Sequence, residues 1–350
     1  MKYFKLFLRF ILGLIIAIGL FIIYASITDY KPKATSIIYE STKPDTIMLN
    51  KQINLAIWNI GYCGLSADMD FFYDGGTQVR TSFENIQTNY KSIKAILKQQ
   101  DSCDFILLQE IDLKSKRSYH QNQVDLFKNS LANYDSFFAK NYDVKFVPSP
   151  ITNPLGKVKS GLLSFSRYNP KQVMRYSFPG NYSWPLKLFM LDRCFLTKRI
   201  PTSNNKELIV INTHNSAYDD GSLKKKQMFF LKEFILREYQ KGNYIIVGGD
   251  WNQNPPSIDH SKTPKDIKNR SIVLNPIPKD YLPQDWQWIY DSTTPSNRYL
   301  NTPYKEGESI TPIIDFFLIS PNIKSEQIKT LDLNFKNSDH QPIICKMKLI

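Results

Sequence analysis

Histidine and cysteine are scarce in this chain of 350 residues, at four each. Cys63, Cys103, Cys194 and Cys345 lie far apart, with no C-x-x-C pair and no Cys and His at zinc-finger spacing, which argues against structural zinc. Spacing assigns neither of two possible disulfides, so the redox compartment stays open. No internal repeat is visible. Acidic residues are in deficit: 32 Asp plus Glu face 45 Lys plus Arg, a formal net charge of +13. Such an excess invites a nucleic-acid or anionic-membrane reading, because clustered cations release phosphate counterions. Part of it is local, since Lys2, Lys5, Arg9, Lys31 and Lys33 flank one apolar segment. The rest lies in short mixed runs such as Lys224-Lys225-Lys226, which read as solvated surface. What is present, 42% apolar and 13% aromatic residues, excludes a wholly disordered chain and supplies a sizeable core for one large domain or two small ones.

Phe10–Ile27 is uncharged and mostly apolar. As a helix it is about 27 Å long, close to the hydrocarbon thickness of a bilayer. The run exceeds the core of a signal peptide and no A-x-A site follows it, so it reads as an uncleaved single-pass anchor. Lys2, Lys5 and Arg9 in the tail 1–9 keep that end cytoplasmic and place the rest outside, although Lys31 and Lys33 blunt the asymmetry. There is no second segment of this kind. Residues 28–50, with Pro32, Pro44 and several Ser and Thr, read as a linker. The main domain is expected over 51–350.

From Ile53 onward, short apolar runs alternate with helix-like stretches. Ile53–Ile57, Phe105–Leu108, Leu162–Phe165, Leu208–Ile211, Tyr244–Val247, Ile313–Ile319 and Ile343–Leu349 have strand length and β-rich composition. Phe83–Gln99 sets Ile86, Tyr90, Ile93 and Leu97 on one helical stripe. Ser222–Tyr239 is a second helix, with Ser222 as its N-cap. The alternation predicts an α/β domain. Residues 255–310, dense in proline and carrying Trp286, Trp288 and Tyr290, read as a long irregular insertion near the site.

The apolar runs repeatedly stop at polar residues able to bind a cation or phosphate, and strand ends share a rim where such groups converge. The ordered set is Asn59; Gln109-Glu110; Ser160-Gly161-Leu162-Leu163-Ser164; Asn212-Thr213-His214; Gly249-Asp250-Trp251-Asn252; Ile314-Asp315-Phe316; and Ser338-Asp339-His340. This set resembles the endonuclease/exonuclease/phosphatase superfamily, whose members include deoxyribonucleases, abasic-site endonucleases, neutral sphingomyelinases and inositol-polyphosphate 5-phosphatases. The resemblance spans about residues 53–350. It implies a four-layer α/β sandwich, two packed sheets flanked by helices, following one transmembrane helix. Together with the anchor it reads as a membrane-bound, bacterial-type member.

The resemblance implies metal-dependent hydrolysis of a phosphoester, with Mg²⁺ as the ion and Mn²⁺ or Ca²⁺ as substitutes, held by Glu110 with Asn59 and Asp339. It makes Asp250 the residue that orients or deprotonates water, Asn252 a phosphate contact, and His340 a contact or acid at the scissile phosphate, oriented by Asp315. His214 points to the deoxyribonuclease-like and sphingomyelinase-like branch. Nucleic acid and phospholipid are both open as substrates, with a phosphomonoester or a non-catalytic binding role as alternatives. Arg298, Arg193 and Arg117 are further phosphate-binding candidates, because a guanidinium offers a planar fork of donors. Asp68, Asp70 and Asp74 fit either a second cation or an ordinary turn. Phe178–Phe189 reads as buried core, with lipid or substrate contact as the other option.

Overall fold

The computed structural model describes residues 1–258 and 276–350. In chain order the elements are α1 (Lys2–Ile27), β1 (Thr35–Glu40), β2 (Gln52–Asn59), α2 (Phe83–Gln99), β3 (Phe105–Asp112), α3 (Gln123–Ser130), β4 (Asp135–Val147), β5 (Gly156–Ser166) and β6 (Gln172–Ser177). They continue with β7 (Cys194–Pro201), β8 (Glu207–His214), α4 (Ser222–Gln240), β9 (Tyr244–Asp250), β10 (Gln287–Ile289), β11 (Asp315–Ile319), β12 (Ile323–Thr330) and β13 (Ile343–Leu349).

The strands form two sheets, ordered β1-β6-β7-β8-β9-β11-β10 and β12-β13-β2-β3-β5-β4. Period-two alternation explains how they stack. Ile53, Leu55, Ile57, Phe105 and Leu107 of one sheet meet Leu208, Val210, Ile246 and Phe317 of the other in a shared core. The intervening residues face outward onto helices: Ala56, Trp58, Ile106 and Leu108 onto α2 and α3, and Ile209, Ile245, Val247 and Phe316 onto α4. Central strands are therefore buried on both faces and read as continuous apolar runs. The result is a four-layer α/β sandwich.

Several local expectations change. Ser222 opens α4 but does not cap it. Gly221, at φ 92, is the cap residue, and the Asp219 carboxylate accepts the N–H groups of Leu223 and Lys224 at 2.9 and 3.1 Å. Residues 28–50 are not a free tether: β1 adds antiparallel to β6, and Ile47 is wholly buried. All four cysteines are free and buried. The tail 1–9 continues the helix of the apolar run. β11 starts at Asp315 rather than Ile313. Within 255–310, β10 pairs with β11 and Trp286 is buried against α4's layer; residues 259–275 of that segment lie outside the described residues. Of Phe178–Phe189, Phe178 and Leu188 are buried, whereas Trp184 and Leu186 are exposed.

Candidate active site

Strand register builds the site. β8 and β9 run parallel with His214 opposite Asp250, and β11 runs antiparallel to β9 with Asp315 opposite Asp250. Three candidate side chains thus stand in one row at the rim of one sheet. In the other sheet Asn59 ends β2 opposite Gln109. The ladder between β3 and β5 is irregular between Leu108 and Ile111, where Glu110 adopts φ 56. Such a bulge re-aims one side chain, and Glu110 joins the lining of the cleft. Glycine is obligatory at 249, where φ is 146 and an added Cβ would stand 2.1 Å from the Thr213 carbonyl oxygen.

Polar contacts lock the two rims together. Asn212 donates to the Leu108 carbonyl and the Ser164 hydroxyl, both at 3.1 Å, and accepts from Gln109 at 2.7 Å. These groups are buried beneath the cleft, so the strand-end motifs of 109, 164 and 212 act as a bridge between sheets. The Trp58 indole donates to the His340 carbonyl at 2.9 Å. Ser338 donates to the Asn59 carbonyl at 2.8 Å, placing the Ser-Asp-His segment against β2.

At the centre, Asp250 accepts the backbone N–H of Asn252 at 2.9 Å and the Asn59 amide at 3.0 Å. His214 Nε2 lies 3.3 Å from the same carboxylate and His340 Nε2 3.7 Å. His340 Nδ1 faces Asp315 Oδ2 at 2.8 Å, and Ser296 donates to that oxygen at 2.8 Å. Burial pushes the Asp250 carboxyl upward, against the pull of His340, and Asp315 adds to the rise. Burial alone would lower the His340 imidazole, but Asp315, Asp339 and Asp250 outweigh it and raise it to about 10. Burial, together with the positive charge of Arg193, His340 and Arg117, holds His214 well below the usual imidazole range. The two histidines thus differ in charge at neutral pH: His340 is cationic and His214 neutral.

Glu110 and Asp339 approach the same cavity, of about 110 Å³. Asn59 donates to Glu110 at 3.3 Å. Burial raises Asp339 to about 7, with His340 pulling it down and Glu110 pushing it further up. Two carboxylates at one wall, with Asn59 beside them turning its NH2 to Glu110 while its Oδ1 accepts the Gly61 N–H at 3.0 Å, form a hard oxygen donor set suited to a divalent ion. The ligand atoms of Asp250, Asp315 and His340 also lie within 4.8 Å of one another, but His340 already commits one nitrogen to Asp315.

The arginines separate. Arg117 forks onto Asp112 at 3.0 and 3.1 Å and lies 3.7 Å over the Tyr62 ring, 3.9 Å from Glu110. Arg298 donates to the carbonyls of Ser66 and Met69 at 2.7 and 3.0 Å. Arg193 is left with a buried Nη1 that has no partner, on the cleft wall. Asn252 turns its amide onto the Asn215 carbonyl at 2.9 Å, and Lys224 donates to the carbonyl of Asn252 at 2.9 Å. Asp70 accepts from Thr77 and the Gln78 N–H and Asp68 from Ser66, which is turn chemistry. Asp74 instead lines the cleft, accepts the Tyr218 hydroxyl at 2.9 Å, and is raised by burial to about 6. Tyr62, Tyr142 and Tyr218 were not singled out in the sequence, yet all three line the cleft. Their only sequence signal is closeness to a motif, Tyr62 after Asn59 and Tyr218 after His214.

A model described as the Endonuclease/Exonuclease/phosphatase family matches residues 56–340. Among solved structures, an endonuclease/exonuclease/phosphatase from Beutenbergia cavernae DSM 12333 is similar at TM-score 0.57 and 16% identity, over 85% of this chain and 72% of that one. D. rerio TDP2 complexed with a single-strand DNA product is similar at TM-score 0.53 and 13% identity, over 85% and 99%. ANGEL2, described as a 2',3'-cyclic phosphatase, is similar at TM-score 0.52 and 16% identity, over 88% and 99%. None of the curated protein sequences matches the chain.

Proposed function

The chain belongs to the endonuclease/exonuclease/phosphatase family, and from that premise we propose a divalent-metal-dependent phosphodiesterase, anchored by α1 with its catalytic domain on the non-cytoplasmic side. Nucleic acid and phospholipid are the two substrate classes considered. The observation that carries the reading is the row His214, Asp250, Asp315, crossed by Asn59 from the facing sheet and completed by the His340–Asp315 pair.

Glu110, Asn59 and Asp339 are the proposed ligands of Mg²⁺, for which Mn²⁺ or Ca²⁺ can substitute. The ion, when bound, offsets negative charge on the phosphoryl and leaving-group oxygens. The other roles follow from the side chains themselves. Asp250, held by Asn59 and the Asn252 N–H, accepts a proton from the attacking water; its upward shift brings its basicity toward neutrality, where a general base works best. Cationic His340 bears a proton on each ring nitrogen: Asp315 accepts the Nδ1–H, and the Nε2–H is left to donate to a phosphoryl oxygen or to the leaving group. Neutral His214 and Asn252 complete the phosphate wall, and Arg193 has an N–H to offer the same anion.

A substrate panel tests the reading: plasmid DNA, RNA, phospholipid vesicles, a soluble phosphodiester and a soluble phosphomonoester, each given to the full chain with Mg²⁺. Cleavage of diesters with slow release from the monoester is expected. Release from the monoester alone favours a phosphomonoesterase, and no turnover of any substrate with Mg²⁺, Mn²⁺ or Ca²⁺ leaves a binding module.

A further inference from the structure

The membrane helix does not stand apart from the cleft. Residues 2–20 of α1 are almost wholly exposed, whereas Phe21, Ala25, Thr28 and Tyr30 are half-buried. Phe21 stacks on Phe189 at 5.7 Å and 6°, and meets Phe146 edge-on at 6.1 Å. The chain leaving the helix is stitched down at once: Lys140 lies 3.7 Å over the Tyr30 ring, and the Ser177 hydroxyl and N–H donate to the carbonyls of Lys33 and Ala34, both at 2.8 Å. No slack separates anchor from domain.

That packing fixes a height. If Phe10–Ile27 fills the hydrocarbon, Phe21 lies about 9 Å below the end of the helix, at about 1.5 Å per residue. The residues packed on it must then reach past the bilayer boundary into the outer hydrocarbon. They belong to two apolar, outward-facing segments: Phe146 at the end of β4 with Ile151 in the loop after it, and Trp184 with Leu186 ahead of β7, Ile151 being 93% and Trp184 61% exposed. Exposed Lys145 and Lys187 flank them, and no Asp or Glu occurs anywhere between Asp143 and Asp192. Apolar tips flanked by lysines match a lipid interface, where aromatic rings sit at headgroup level and lysines reach anionic lipid, while Asp29 and Asp143 line the crevice between the anchor and Phe146. The same loops then run into the cleft: Leu155, Met190 and Leu191 line it, and the Tyr142 hydroxyl donates at 2.9 Å to the carbonyl of Phe189, the residue stacked on the anchor.

We infer that the loops around Phe146–Ile151 and Trp184–Leu186 are a second membrane contact, continuous with the end of α1, which seats the mouth of the cleft on the bilayer surface. This rests on the proposed anchor and deepens the proposed activity: the phosphodiesters within reach are those at headgroup level of the same membrane.

The test uses the full chain in vesicles of phosphatidylcholine and phosphatidylglycerol. Because the native cysteines are buried, an environment-sensitive fluorophore can be placed at Ile151→Cys or Leu186→Cys, with Glu326→Cys on β12 as control. Blue-shifted emission quenched by lipid-borne nitroxide at 151 and 186, but not at 326, is expected; equal exposure at all three overturns the inference. In a second arm, Ile151→Glu combined with Leu186→Glu should lower turnover of vesicle phospholipid by about tenfold and leave a soluble phosphodiester unchanged. An equal effect on both substrates, or on neither, counts against the seating. If the parent chain cleaves nothing, the hydrolase reading fails while the fluorescence arm still decides this one.

Discussion

Lys198 is the buried cation that the proposed chemistry leaves over. It is wholly inaccessible in β7, its Nζ has no partner, and the Phe105 ring centroid lies 6.0 Å away. Burial lowers it to about 7. Between about pH 7 and the unfolded value of 10.5 the unfolded chain holds the proton that the folded chain lacks, so this group's cost is greatest below pH 7 and fades as pH rises. Lys198→Met is predicted to stabilise by on the order of 5 kcal/mol below pH 7 and by little near pH 10; melting curves at several pH values check the sign. The arginines separate in the same way. Arg193→Met should raise KM by about tenfold with an unchanged melting temperature, since a lost charged hydrogen bond to substrate is worth about 1.5–3 kcal/mol. Arg298→Met should instead lower the melting temperature, because it releases the Ser66 and Met69 carbonyls. The central acids and histidines were legible because each belongs to a short motif. Asp74 stood out in an acidic cluster, but its pairing with Tyr218 did not, since the two meet across 144 residues of chain.

At the scale of elements, legibility followed burial on both faces. β2, β3, β8 and β9 stood out as apolar runs, and α2 keeps the boundaries its stripe predicts. β12, IKSEQIKT, buries only its ends fully and offers Lys, Glu and Gln to solvent, so nothing in it distinguishes an edge strand from a loop. β1 escaped notice because its pairing partner lies far along the chain. The cap of α4 was misplaced by one residue: Ser222 is a good capping residue, but the left-handed Gly221 turns the chain so that Asp219 reaches the free N–H groups first. Asp219→Ala should cost about 1 kcal/mol, read in a denaturant titration, whereas Ser222→Ala should be nearly neutral.

For the whole molecule, the α/β class followed from alternation, whereas the closing of two sheets over one core came from the family resemblance carried by the strand-end motifs, because period two does not say which face meets which sheet. The net charge of +13 proved a poor guide to substrate, since it surrounds a rim of acids and amides that suits any phosphate. The account stands or falls on the chemistry of that rim. Turnover of a soluble phosphodiester by the full chain should require Mg²⁺, vanish with EDTA and return with added ion, and Asp250→Asn should lower kcat by about 10²–10⁴-fold without unfolding the protein. Undiminished turnover in Asp250→Asn, or turnover indifferent to EDTA, would contradict it.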